Sequence, residues 1–253
     1  MYVDVHCHLD HEALADRLPD VLVACQQAGV KAIISNGTGP VSNRAVLSIC
    51  ERFPLVRPAY GIYPTEPVDL EGDAAEIAWI REQMLHSSHP PVAIGEIGLD
   101  GVEPMTEEQL ARFRAFVTLA TELRLPIIIH TRKAEQLVFD ELEAMQYKGL
   151  VVMHCFGGSK KLVEEGVKRR YLFSIPALIR RADHFKMMVD IVPLGQLLTE
   201  TDSPYLSADK EQFPNTPMGV VETVEHIARI KKITVEECRQ MLFMNYQRLF
   251  SGR

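Results

Sequence analysis

Eight short runs rich in Val, Ile and Leu recur along the chain, at Tyr2–His6, Lys31–Ser35, Val56–Gly61, Pro91–Glu96, Pro126–His130, Leu150–His154, Tyr171–Ile175 and Leu194–Thr199. Longer amphipathic segments separate them, near residues 12–28, 40–52, 73–86, 106–123, 134–146, 160–169, 178–190, 217–231 and 234–250. Ile127-Ile128-Ile129 and Leu150-Val151-Val152-Met153 lack the alternation of a half-exposed strand. That is the pattern of parallel strands covered on both faces. A strand–helix alternation of this count predicts an α/β fold, a single-domain (β/α)8 TIM barrel over residues 1–253. An open doubly wound sheet is the other arrangement the alternation allows. Thr106-Glu107-Glu108-Gln109 and Thr234-Val235-Glu236-Glu237 read as capping boxes that start two of the helices.

The composition narrows the class. Apolar residues make up 47% and charged residues 24%, enough for a large core under an ordinary solvated surface. No apolar run reaches membrane-spanning length, and no basic-then-apolar leader opens the sequence. The five cysteines are scattered without a close pair, which argues against a disulfide framework and fits a cytoplasmic protein. A net charge of −7 argues against an extended nucleic-acid-binding surface. No Gly-x-Gly-x-x-Gly or P-loop opens any helix, so nucleotide cofactor binding has no support.

In a barrel the chemistry sits at the carboxyl ends of the strands. The first strand brings His6 and His8, which share a face at i and i+2 only if the segment is extended. The fourth brings Glu96, the fifth His130, the sixth His154, and the eighth runs into Asp202. Imidazole nitrogens and carboxylate oxygens in this number suit two divalent metals, with His6, His8 and Asp202 on one, His130 and His154 on the other, and Glu96 between them. Asp202 and Glu96 are the candidate catalytic groups, Asp202 as the base that takes a proton from a water. Cys7 and Cys155, next to ligands in sequence, are expected to face away and pack as core. His11, His86, His89, His184 and His226 have no matching partners and read as solvated.

The segments Asp4–Asp10, Gly95–Asp100, Ile129-His130-Thr131-Arg132, His154–Ser159 and Thr201–Leu206 occur in an order that resembles the TatD family of metal-dependent hydrolases, within the amidohydrolase superfamily. The resemblance runs to Asn245–Phe250. It implies a (β/α)8 barrel, a two-metal centre on the six residues above and a deoxyribonuclease activity. Superfamily relatives often bridge their metals with a carboxylated lysine; here Glu96 stands at that strand end. The chain departs from the family at Gly61-Ile62-Tyr63-Pro64, where His is usual, at Phe213-Pro214 before Asn215-Thr216-Pro217, where Arg is usual, and at Gly101-Val102, where an aromatic is usual.

The combined expectation is a metal-dependent phosphodiesterase that uses zinc, manganese or magnesium and acts on a small phosphodiester or a nucleic-acid end. Tyr63, Arg132 and Asn215 are expected to orient the substrate. A carboxylic ester, lactone or aminoacyl-ester hydrolase is the rival on the same scaffold, and a non-catalytic metal-binding protein the third reading. Lys160-Lys161 and Arg180-Arg181 follow strand ends and are candidates for guiding a polyanion.

Overall fold

The computed structural model describes residues 1–67, 69–209 and 213–250. Its strands are β1 (Tyr2–Cys7), β2 (Val30–Asn36), β3 (Val56–Tyr60), β4 (Ala93–Gly98), β5 (Ile127–His130), β6 (Val151–Met153), β7 (Leu172–Ile175) and β8 (Leu197–Thr199). All pair in parallel in sequence order. The segment after β8 returns beside β1: the Asp202 amide donates to the His6 carbonyl at 2.9 Å, and the Thr199 hydroxyl to the Val3 carbonyl at 2.6 Å. The result is a (β/α)8 barrel rather than an open sheet.

The helices are α1 (Glu12–Ala15), α2 (Leu18–Gln27), α3 (Pro40–Arg52), α4 (Leu70–His86), α5 (Glu107–Leu123), α6 (Glu135–Ala144), α7 (Lys160–Lys168), α8 (Asp183–Ile191), α9 (Gly219–Lys231) and α10 (Val235–Phe250). Two expected helices are divided. The 12–28 segment breaks before Leu18, where Pro19 can occupy only the first turn of a new helix. The 178–190 segment opens as a 3-10 turn, Ala177–Arg180, before α8. The Thr234–Glu237 box forms in both directions, at 2.8 and 3.1 Å. The Thr106 box forms only in part: Thr106 caps the Gln109 amide, but the Gln109 side chain leaves the helix end to accept from the Asp100 amide at 2.8 Å.

The core has two walls. Ile33, Ile127, Ile129, Val151 and Met153 face the helices, whereas Val3, Ile34, Ile128, Val152 and Leu198 fill the barrel interior, joined there by Tyr246 and Leu249 of α10. Filling the lower barrel with aliphatic side chains leaves polar residues to project only from the upper strand ends. Among the described residues no helix is long and apolar enough to cross a membrane.

Two departures from regular pairing shape the mouth of the barrel. The β1–β2 register slips by one residue between Asp4 and Cys7, and the β4–β5 register slips between Ile94 and Ile97. Each is a bulge, which turns a side chain off the strict alternation. In β1, Val5 stays in the inner core and Cys7 in the outer one, and His6 lies in the bulged stretch between them. In β4, Ile94 and Ile97 both pack outward, and Glu96 falls in the bulge between them. Gly61 permits this: a Cβ there would lie 2.5 Å from the Glu96 carbonyl oxygen. Gly98, at φ +151, is excluded from carrying a side chain by the His130 carbonyl.

Candidate active site

The six residues expected to hold metal converge at the mouth. The Nε2 atoms of His6 and His8 lie 3.5 and 3.4 Å from Glu96 Oε2, and 3.4 and 3.2 Å from Asp202 Oδ1. On the other side, His130 Nδ1 and His154 Nε2 lie 3.1 and 3.9 Å from Glu96 Oε1. Glu96 thus offers one oxygen to His6 and His8 at the end of β1 and the other to His130 of β5 and His154 just after β6. Donor atoms within 4.8 Å of one another form the sets His6/His8/Glu96, His6/His154/Asp202 and Glu96/His130/His154.

The charges are strongly coupled. Burial disfavours charge on His6, His8, Glu96, His130 and Asp202, yet pairing wins. Glu96 holds His6 and His130 above the ordinary imidazole range, and Asp202 does the same for His8. In return, His6 holds Glu96 below the ordinary carboxylate range, and His154 does so for Asp202. His6 is fully buried, and neither of its ring nitrogens has a hydrogen-bond partner among the described residues. A buried imidazole without a hydrogen-bond partner, set between two carboxylates, fits a donor to a bound cation. The nitrogen and oxygen donors fit a divalent metal ion.

Around the cluster lie partners that spacing along the chain does not reveal. Glu200, fully buried, accepts from His154 Nδ1 at 2.8 Å, from the Cys155 amide at 2.9 Å and from the Ser174 hydroxyl. This fixes the His154 ring with Nε2 turned to the cluster. Asp100 does the same for His130, whose Nε2 it meets at 3.0 Å, leaving Nδ1 for the Glu96 side. The Gln109 side chain that abandons its capping box sets the Asp100 backbone. Asp4, whose carboxyl burial pushes up to about 8, accepts from the Thr201 amide and hydroxyl and ties β1 to the Asp202 turn.

Tyr63 donates to Asp100 at 3.0 Å and sits 3.2 Å from His130 Nε2. Burial lifts its hydroxyl well above the ordinary phenol range, so it acts as a neutral donor. Its loop is held by Arg112 of α5, a buried guanidinium that pairs with Asp73 at 2.9 Å and donates to the carbonyls of Tyr63, Pro64 and Glu66. Arg132 is exposed at the cleft lip. Asn215 is placed differently from expectation: it is buried, and its amide is used on the Thr201 and Tyr205 carbonyls at 3.1 and 2.8 Å. It shapes the turn that carries Asp202 and does not line the cleft. Tyr205, 46% exposed beside that turn, does line it. His11, expected to be merely solvated, caps α1 and meets the Tyr205 ring at 5.3 Å. Cys7 packs in the outer core, and Cys155 lies against it, partly buried, while also lining the cleft.

The cleft above the cluster has a volume of about 760 Å³, and the side chain most open within the cluster is Asp202, at 15% exposure against 3% for Glu96. A (β/α)8 barrel with a buried His/Glu/Asp cluster at its mouth is the architecture of a metal-dependent hydrolase. The family model described as TatD related DNase matches residues 3–251, and the chain belongs to that family. It is 33% identical to an uncharacterized metal-dependent hydrolase of Methanocaldococcus jannaschii, with 100% of this chain and 98% of that protein covered. It is 31% identical to the deoxyribonuclease TATDN3 of Homo sapiens, over 98% and 94% of the two chains. The crystal structure of a TatD homologue from Escherichia coli superposes with a TM-score of 0.90 at 27% identity, covering 100% of this chain and 98% of that one.

Proposed function

We propose that the protein hydrolyses a phosphodiester at a two-metal centre, with a nucleic-acid end or short oligonucleotide as substrate. The observation that carries this is the division of Glu96, one oxygen toward His6 and His8 and the other toward His130 and His154. His6, His8 and Asp202 would hold one ion, His130 and His154 the other, and Glu96 would span both. Four imidazoles weight the choice toward zinc or manganese over magnesium. Divalent ions held there would supply Lewis-acid chemistry, lowering the pKa of a water and placing positive charge near the phosphoryl oxygens.

The remaining work belongs to the chain. Asp202 is open to the cleft and takes the proton of the attacking water. Glu200 and Asp100 keep His154 and His130 in the tautomers that turn Nε2 and Nδ1 inward. Tyr63, its proton committed to Asp100, steadies the Asp100–His130 pair at the cleft wall, and Arg132 offers a guanidinium suited to a phosphate at the lip. The relative named as the human deoxyribonuclease supports the substrate class.

The test is turnover of a dinucleotide and of a phosphodiester lacking bases after loading with manganese or zinc. Activity is expected in the wild type and loss in His6→Ala and Glu96→Ala. If the metal-loaded protein cleaves neither substrate, or if both variants retain wild-type rates, the proposal fails.

A further inference from the structure

The mouth of the barrel is divided by charge. On the β3 and β4 side, residues 61–71 and 99–108 hold no lysine or arginine and carry Glu66, Asp69, Glu71, Glu103, Glu107 and Glu108. On the β5 to β7 side, the loops and first helical turns carry Arg132, Lys133, Lys160, Lys161, Arg180 and Arg181, all exposed. Glu135 and Asp183 are the acidic residues of that arc, and Asp183 is already held by Lys186 at 2.8 Å. A net charge of −7 over the whole chain averages across this division and conceals it.

We infer that the basic arc is a track for the sugar-phosphate backbone of a single-stranded nucleic acid whose end lies at the metal ligands. The inference rests on the phosphodiesterase reading and adds the direction in which the strand leaves the cleft. The loops of the arc follow consecutive strands, so their cations lie side by side around one rim. Two contacts join the arc to the cleft and to itself: Arg181 donates to the Ser207 carbonyl at 3.3 Å, next to the lining residue Leu206, and the His184 ring meets the Phe156 carbonyl at 2.9 Å.

The cations are available to a ligand. Lys160 and Arg180 have only loose pairings, with Glu164 at 4.0 Å and Glu222 at 3.5 Å. Such exposed pairs are weak enough for a phosphate to replace. Arg132, Lys133 and Lys161 have no ion-pair partner among the described residues. The acidic loops after β3 and β4 would repel the same backbone, which favours its leaving along the arc. Contacts of this kind position a strand without reading its sequence.

The test compares a dinucleotide with a single-stranded decamer, using the wild type and the triple variant Lys160→Ser, Lys161→Ser, Arg180→Ser, with thermal melting to verify the fold. Each backbone contact on a single strand contributes about 0.7 to the slope of log affinity against log salt, so three contribute roughly 2. Between 50 and 200 mM salt, kcat/KM on the decamer should therefore fall about twentyfold more for the wild type than for the variant. On the dinucleotide the two proteins should match. A decamer with neutral methylphosphonate linkages beyond the first should make the wild type behave like the variant. Equal salt slopes on the charged decamer, or equal losses on both substrates, overturn the track while leaving the phosphodiesterase reading intact. A wild type that cleaves neither substrate removes both.

Discussion

Replacing Glu200 by Gln tests how the site is held together. The carboxylate is fully buried and accepts three hydrogen bonds, from His154 Nδ1, the Cys155 amide and the Ser174 hydroxyl. Glutamine has nearly the same shape but only one accepting oxygen, and its NH2 must face at least one of those donors. The loss of a hydrogen bond to a charged acceptor costs about 1.5–3 kcal/mol, partly relieved if the Ser174 hydroxyl rotates to accept. A destabilisation of about 2.5 kcal/mol in a barrel of this size corresponds to a Tm lower by roughly 5–10 °C. His154 would also lose its orientation and some of its basicity, which typically costs 10–100-fold in metal affinity or activity. Metal titration by calorimetry, with kinetics as a function of metal concentration, reads this out. The half-saturating metal concentration should rise 10–100-fold, with excess metal restoring part of kcat. A variant with a lowered Tm but wild-type metal affinity and turnover would show that Glu200 only supports the fold, and would refute the reasoning.

Arg112→Met should lower stability by about 3–5 kcal/mol, because it leaves Asp73 buried without its partner, and should loosen the loop of Tyr63; chemical denaturation measures the first effect and KM the second. Tyr205→Ala should weaken oligonucleotide substrates by about 1–3 kcal/mol if the exposed ring stacks on a base, with Tyr205→Phe near wild type; equal effects of the two variants would rule out stacking. Metal loading should raise Tm, by about 2.7 kcal/mol of added stability at a hundred times Kd. That gain should grow with pH. His6 and His8 are held above the ordinary imidazole range, so their protons stabilise the metal-free fold fully below that range and cease to do so as pH rises through the raised values. Melting curves with and without EDTA at pH 6 and pH 8.5 test the sign; a larger metal-induced gain at pH 6 contradicts it.

The local pattern of residues is enough to reveal the eight strands and the candidate ligands at their ends, because strand period and strand-end position are properties of short stretches of chain. His130 and His154 close apolar runs, and Asp202 follows one, so their meeting at the mouth needed only the barrel to be inferred. Partnership in space is a different matter. Glu200 reaches a histidine 46 positions earlier in the sequence, and Arg112 grips a loop 46 to 49 positions away. No short window contains both ends of such a contact. The bulges that present His6 and Glu96 depend on register against a neighbouring strand, and register is set by packing on both faces. The position of Asn215 in its motif points to a substrate contact, but the folded loop uses its amide on the Thr201 and Tyr205 carbonyls. Charge shows the same limit: the acidic and basic residues are plain in the sequence, but only the closed barrel gathers them into separate arcs of one opening.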